Sequence, residues 1–129
     1  MSKSSDARQS VMIVEDYDDT RYMIRQVLEQ QGYRVVEALT GIEAVELARQ
    51  ERPDLILMDI NLPLIDGINA TRRIREIEEM SDVPIVAVSA YDSAGLRETA
   101  RERGCIDYLV KPVDVEQLKN LVNRLLHKE

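Results

Sequence analysis

From residue 10 onward, short runs rich in β-branched residues alternate with longer segments whose apolar residues recur with helical period. Several of the short runs are apolar at nearly every position. A strand that is apolar on both faces belongs inside a parallel sheet with helices on each side. We therefore predict an α/β fold with a doubly wound, five-stranded parallel sheet in the order 2-1-3-4-5 and five flanking helices. The predicted strands are residues 11–14, 33–37, 55–58, 84–88 and 108–110, the last with the residues before it.

Helical segments follow the predicted strands, and their starts carry capping signals. Thr40 and Glu43 have the spacing of a capping box, in which both side chains satisfy free backbone amides. Asp114 opens the last helix in the same way, and Asp18 or Asp19 is expected to cap the first helix. The other helices are predicted over residues 18–31, 67–78 and 93–103. Arginines on the third and fourth helices are interpreted as solvated residues offset by nearby glutamates: Arg72, Arg73, Arg75, Arg101 and Arg103.

The length and composition are those of one soluble globular domain. The 129 residues allow a core without disulfide or metal support, and 44% hydrophobic residues exclude a disordered chain. We interpret residues 1–9 as a short polar leader and residues 10–129 as a single domain. The net charge of −7 disfavours direct binding to nucleic acid. With a lone Cys105 and no apolar run in the leader, we predict neither secretion nor a membrane span, and we expect a cytoplasmic protein.

Three acidic residues come directly after apolar runs: Glu15 and Asp16 after the first run, and Asp59 after the third. In the predicted order, strands one and three are neighbours, so their carboxyl ends meet where doubly wound sheets bind ligands. Carboxylates gathered this closely repel one another and raise one another's pKa unless a cation compensates them. Magnesium favours oxygen ligands and combines one or two carboxylates with phosphate oxygens. The pattern therefore predicts a metal site suited to phosphoryl chemistry, while helix capping is the plainer interpretation of any one of these acids.

Two further polar residues fall at the same edge of the predicted sheet. Ser89 follows the fourth strand and Lys111 follows the fifth. A hydroxyl and an ammonium there can contact the oxygens of a phosphoryl group on Asp59, which adds about −1.5 to −2 charges. Taken singly, Lys111 would be a solvated lysine and Ser89 a turn residue. Their position beside the carboxylates favours the phosphoryl site.

These residues belong to five separated motifs between residues 10 and 127. The motifs are Glu15-Asp16, Met58-Asp59-Ile60-Asn61-Leu62-Pro63, Asp66-Gly67, Val88-Ser89-Ala90 and Asp107-Tyr108-Leu109-Val110-Lys111-Pro112. With them the chain resembles the receiver domain of two-component response regulators, a CheY-like family with a flavodoxin-like fold. The resemblance implies that Asp59 accepts a phosphoryl group from a histidine kinase or a histidine phosphotransfer protein. It also implies a signalling phosphoacceptor, not an enzyme, that catalyses its own phosphorylation and dephosphorylation.

The family pattern also assigns roles around the metal. Asp16 and Asp59 would bind Mg²⁺ or Mn²⁺ directly, Asn61 would contribute its backbone carbonyl, and Glu15 would act mainly through bound water. Asn61 is also expected to modulate the reaction. We expect the bulk of Tyr91 to hinder the attacking water and lengthen the lifetime of the acyl phosphate.

Other residues match the family's contact and switch positions. Lys111 would contact the phosphoryl oxygens, its bond to Pro112 would be cis, and Gly67 would have a structural role. Ser89 and Tyr108 match the switch pair, in which the hydroxyl moves toward the phosphoryl group and the ring turns inward. The switch would change a face for a downstream protein, formed by the fourth helix, fifth strand and fifth helix. A rim aromatic with a wet hydroxyl is the plainer interpretation of Tyr108 alone.

Three other functions fit parts of this sequence. A pseudo-receiver would keep the fold as a docking module without phosphoryl transfer, but all the expected reactive groups are present. A magnesium-dependent phosphatase with an aspartyl-phosphate intermediate usually places its nucleophile after the first strand of a larger, capped domain. The 129 residues here leave no room for a cap that encloses a substrate. A flavin mononucleotide carrier needs a phosphate loop rich in Ser, Thr and Gly after strand one, whereas residues 15–19 are mostly acidic and would repel a phosphate.

Overall fold

The predicted strands form one parallel sheet in the computed structural model, which describes residues 8–62 and 65–127. The strands are β1 (Ser10–Val14), β2 (Arg34–Ala38), β3 (Leu55–Asp59), β4 (Ile85–Ser89) and β5 (Asp107–Val110). They pair in the order β2-β1-β3-β4-β5, and every neighbouring pair is parallel. The predicted fold class and strand order are confirmed. Most of the predicted leader, residues 1–7, lies outside the described residues, as do residue 63 of the second motif and residue 64 after it.

A helix follows each strand along the described chain. The helices are α1 (Asp18–Gln30), α2 (Gly41–Glu51), α3 (Gly67–Arg75), α4 (Ala94–Glu102) and α5 (Val115–His127). The capping signals at Thr40 and Asp114 are confirmed. The Thr40 hydroxyl accepts the N–H of Glu43 at 3.0 Å, and the Glu43 carboxylate accepts that of Leu39 at 2.7 Å. The Asp114 carboxylate accepts the N–H of Gln117 at 3.0 Å. None of the described helices has both the length and the apolar composition needed to cross a membrane.

The third helix is shorter than predicted. α3 ends at Arg75, and the N–H groups of Glu76 and Ile77 bond three residues back, at 3.2 Å and 3.0 Å. Ile77 then has extended backbone angles, and Glu78–Met80 form a separate 3₁₀ turn. Because the three-residue bonds tighten the last turn, the predicted end at residue 78 is wrong.

The solvated role predicted for Arg75 is also wrong. Its half-buried guanidinium donates hydrogen bonds to the backbone carbonyls of Met80 at 3.1 Å, Ser81 at 3.3 Å and Gly104 at 2.7 Å. Burial lowers the pKa of Arg75 below its usual value. The side chain ties the end of α3 to the loop before β5, since the carbonyls that it binds lie beyond the helix. Two of the predicted arginine–glutamate pairs are present: Arg72 with Glu76 and Arg101 with Glu98.

Alternate residues of the central strands build two apolar layers, one on each face of the sheet. In β1, Val11 and Ile13 belong to the layer covered by α1 and α5, whereas Met12 and Val14 belong to the layer covered by α2, α3 and α4. Every position of β1, β3 and β4 is buried. Each fully buried aliphatic side chain contributes about 1.5–3 kcal/mol. With both faces covered, the strand ends are where polar side chains of adjacent strands meet.

Candidate functional site

The carboxylates predicted at the strand ends lie together. Glu15 follows β1 directly, Asp59 is the last residue of β3, and the two strands pair so that Val14 lies beside Met58. Carboxylate oxygens of Glu15, Asp16 and Asp59 lie within 4.8 Å of one another. Glu15 and Asp59 are only 2% and 3% exposed, whereas Asp16 is exposed. We call these three residues the acidic cluster; it is buried on one side and open to solvent on the other.

Lys111 lies against the acidic cluster. Its Nζ is 2.9 Å from Oε1 of Glu15 and 3.2 Å from Oδ2 of Asp59. The Lys111–Pro112 peptide bond is cis, and the backbone N–H of Lys111 donates to the carbonyl of Ser89 at 2.7 Å. The ammonium therefore bridges the two buried carboxylates and compensates one of their two charges.

The environment acts differently on the two partners of this ion pair. Burial raises the pKa of Glu15, the hydrogen bond from Lys111 lowers it, and the charge of Asp59 raises it; the net direction is upward. Burial alone would lower the pKa of Lys111, but the hydrogen bond to Glu15 and the charges of Asp59 and Glu15 raise it above its usual value. Lys111 therefore stays cationic, while the metal-free site disfavours ionised Glu15.

Glu15→Gln should stabilise the metal-free protein at neutral pH. A carboxyl whose pKa is raised by folding contributes stability that is fully present below its ordinary pKa of 4.5. That contribution is lost as the pH rises through the folded pKa. Glutamine stays neutral, so the variant's advantage in melting temperature should grow from about pH 4 to about pH 7. Thermal unfolding in EDTA measures it. An equal, pH-dependent gain in the control Glu46→Gln, at an exposed position, would contradict this account.

Ser89 and Tyr108 are joined through the backbone of Tyr91. Ser89 is fully buried at the end of β4, and its Oγ accepts the N–H of Tyr91 at 3.0 Å. The hydroxyl of buried Tyr108 donates to the carbonyl of Tyr91 at 2.9 Å. The guanidinium carbon of Arg97 lies 4.6 Å from the centre of the Tyr108 ring. The Tyr108 ring therefore lies inward with its hydroxyl bonded to protein, while the Tyr91 side chain is exposed.

Asn61 and Gly67 shape the segment that follows Asp59. The N–H of Asn61 donates to Oδ1 of Asp59 at 2.9 Å, while Oδ2 lies near Lys111. Gly67 begins α3 so close to β3 that a Cβ there would lie 2.3 Å from the carbonyl oxygen of Asp59 and 2.6 Å from Cα of Ile60. The missing side chain therefore lets α3 start directly against the strand end that presents Asp59.

Sequence patterns missed one residue at this edge, Arg21 on α1. Its Nη1 donates to the carbonyl of Glu15 at 3.0 Å, and its Nη2 donates to the Asp18 carboxylate at 2.6 Å. The predicted capping of α1 by Asp18 or Asp19 is wrong, because the N-cap is Tyr17 and no side chain caps it. The Tyr17 N–H donates instead to the Glu15 carboxylate at 3.1 Å. An arginine on a polar helix face carries no pattern that separates it from a solvated one.

Known proteins are similar to this chain in sequence. The family model of the response regulator receiver domain matches residues 11–123. The polar-differentiation response regulator DivK of Brucella anthropi is 38% identical over 117 residues, which cover 91% of this chain and 95% of that protein. DivK of Brucella ovis matches to the same extent.

Solved structures agree with the family match. The receiver domain of the sensor histidine kinase PA1611 from Pseudomonas aeruginosa PAO1 is described with a magnesium ion coordinated in its active site cleft. It is 40% identical with a TM-score of 0.86, covering 94% of this chain and 99% of that one. Chemotaxis protein CheY4 of Vibrio cholerae is 29% identical with a TM-score of 0.89, covering 93% and 100%. The chain therefore belongs to the family of response regulator receiver domains of two-component signalling.

Proposed function

We propose that this receiver domain takes a phosphoryl group from a phosphohistidine donor and carries it on Asp59, in a reaction that needs Mg²⁺ or Mn²⁺. The donor would be a histidine kinase or a histidine phosphotransfer protein. The acidic cluster carries the proposal, because Asp59 lies within 4.8 Å of its partner carboxylates and 3.2 Å from the Lys111 ammonium. An acyl phosphate would add about −1.5 to −2 charges there. Lys111 and a divalent ion would together offset that charge.

The residues of the acidic cluster fit such an ion. Carboxylate oxygens are hard ligands, and Lys111 compensates only one of the two buried charges. We propose that Asp16 and Asp59 bind the ion directly, with the backbone carbonyl of Asn61, and that Glu15 acts through bound water. When bound, the ion offsets charge on the phosphoryl oxygens and orients them. The magnesium described in the PA1611 receiver supports this assignment.

In the proposed transfer, a carboxylate oxygen of Asp59 attacks phosphorus as the P–N bond to the donor imidazole breaks. The imidazole nitrogen keeps the bonding electron pair, and the new P–O bond forms an acyl phosphate. The Lys111 ammonium and the Ser89 hydroxyl donate hydrogen bonds to the phosphoryl oxygens. In the later hydrolysis, water attacks phosphorus as the P–O bond to Asp59 breaks, inorganic phosphate leaves with the protons of the water, and the Asp59 carboxylate is restored. The domain would catalyse both steps on itself.

Ser89 and Tyr108 form the proposed switch between this chemistry and a downstream protein. Movement of the Ser89 hydroxyl toward a phosphoryl group would break its hydrogen bond with the Tyr91 N–H. Because the Tyr91 carbonyl accepts the hydrogen bond of the Tyr108 hydroxyl, this movement would also affect Tyr108. The switch would change the surface of α4, β5 and α5, which we call the output face. The exposed Tyr91 ring would crowd the approach of water, an effect that the lifetime of the acyl phosphate measures. We propose that the domain meets its phosphohistidine donor and its downstream protein in the cytoplasm, and that it binds neither nucleic acid nor membrane directly.

Intact mass after incubation with acetyl phosphate tests the proposal. With Mg²⁺ the wild type should gain one phosphoryl group, and it should gain none in EDTA. Asp59→Asn should gain none under either condition, because an amide cannot form the acyl phosphate. The matched control is Asp82→Asn at an exposed position outside the acidic cluster, which should behave as the wild type. A folded wild type that gains no mass would contradict the proposal and favour a docking module that never carries phosphate.

A further inference from the structure

Arg21 lies beside the acidic cluster without belonging to it. Its Nη1 donates to the carbonyl oxygen of Glu15 at 3.0 Å. Its Nη2 lies 2.6 Å from Oδ1 of Asp18, and its Nε lies 3.5 Å from Oε1 of Glu37 on β2. Only 16% of the side chain is exposed. One guanidinium therefore contacts the end of β1, the first turn of α1 and the neighbouring strand.

These contacts restrain the loop of residues 15–17. Two of the three residues of the acidic cluster, Glu15 and Asp16, lie in this loop. The backbone N–H of Arg21 donates to the Tyr17 carbonyl at 3.0 Å, so helix and side chain hold opposite ends of the loop. The Glu15 carbonyl belongs to the peptide group that joins Glu15 to Asp16. Holding that peptide restricts where both side chains leave the backbone.

The charge of Arg21 is offset by its own partners. A bare guanidinium beside the acidic cluster would compete with a metal ion for the same carboxylates. The carboxylates of Asp18 and Glu37 lie against this guanidinium and balance it. The planar guanidinium of Arg21 also offers several N–H donors in fixed directions, which a lysine ammonium does not. Arg21 therefore restrains the loop and leaves the cluster's negative charge available to a cation.

We infer that Arg21 is a positioning residue for divalent-metal binding: it holds the loop of residues 15–17 in the arrangement that the ion requires. The inference rests on the proposed function, because it concerns the ion proposed there. Groups that orient metal ligands from outside the coordination sphere typically change metal affinity by about 10–100-fold when they are replaced.

Titration of ¹⁵N-labelled protein with Mg²⁺, followed by the amide shifts of residues 15–17 and Asp59, tests this inference. Arg21→Gln should raise the Kd for Mg²⁺ about tenfold. Arg21→Lys should also raise the Kd. A lysine ammonium keeps the charge but cannot replace the fixed set of donors of the guanidinium. The matched control is Arg72→Gln on α3, an exposed arginine whose described ion-pair partner is Glu76 at 3.4 Å. This control should keep the wild-type Kd.

Each outcome decides between the alternatives. A wild type without Mg²⁺-dependent shifts would overturn the proposed metal site and this inference with it. A wild type that binds Mg²⁺, with Arg21→Gln binding equally well, would overturn the role of Arg21 alone. Urea unfolding in EDTA distinguishes a purely structural role from a positioning role. If Arg21 were only structural, Arg21→Gln would lower the urea midpoint of unfolding and leave the Kd for Mg²⁺ unchanged. Should Arg21→Gln not fold, Arg21→Lys decides in the same way, since a wild-type Kd in that variant overturns the inference.

Discussion

Lys111→Met should slow the phosphorylation of Asp59 by acetyl phosphate by roughly 100-fold at saturating Mg²⁺. The ammonium lies 3.2 Å from the Asp59 carboxylate and 2.9 Å from that of Glu15, which is where the proposed transfer would develop charge on the phosphoryl oxygens. Methionine keeps most of the side-chain volume and removes the charge. The initial rate of phosphoryl gain, measured by intact mass over time, gives the effect.

Lys119→Met is the matched control for this experiment. It changes the net charge equally, but Lys119 lies on α5 and pairs with Glu116 at 3.3 Å. Its phosphorylation rate should stay close to that of the wild type. Equal rates for Lys111→Met and the wild type would show that Lys111 does not contact the reacting group. Circular dichroism of both variants checks that a slow rate does not come from unfolding.

Gly67→Ala should destabilise the domain by about 1–3 kcal/mol and reduce phosphorylation as well. The added Cβ would lie 2.3 Å from the Asp59 carbonyl oxygen, which is backbone and cannot rotate away as a side chain could. The backbone of Gly67 does not have a positive φ, so the predicted loss comes from this contact and not from a strained conformation. Relief of the contact would shift α3 or the strand end that carries Asp59. Urea unfolding and the mass assay measure the two effects separately.

Gly95→Ala provides the opposite case within the same fold. Gly95 lies in α4, and beyond the neighbouring backbone of its own helix a Cβ there would meet no atom within 4 Å. Alanine is a better helix former than glycine, so this variant should gain up to about 1 kcal/mol of stability and keep its phosphorylation rate. If Gly67→Ala were as stable as Gly95→Ala, the close packing of α3 on β3 would not matter.

The parts of this structure that sequence predicted are those set by local patterns. Apolar runs with a β-branched bias located the strands, because a strand covered on both faces must be apolar on both. The Thr40 and Asp114 caps were predicted because a cap needs residues at a short, fixed spacing. Glu15, Asp16 and Asp59 could be placed together because parallel strands bring their carboxyl ends to one edge.

The parts that sequence missed depend on contacts between distant segments. Arg75 belongs to a helix whose composition suggests a solvated face, yet its partner Gly104 is far along the chain. Arg21 has the same ambiguity, since its contact with the Glu15 carbonyl appears only once β1 and α1 are assembled. Backbone carbonyls are present at every residue, so a side chain that binds one leaves no pattern in the sequence.

The two backbone hydrogen bonds of Tyr91 do not depend on its side chain, which has a separate role in the proposed function. The groups that bond Ser89 and Tyr108 are the N–H and the carbonyl of residue 91, and every residue type except proline has both. The ring itself points to solvent. If the proposed function holds, exchange of the side chain at residue 91 would alter how long the acyl phosphate survives, while the main-chain connection from the proposed phosphorylation site to the output face would stay the same.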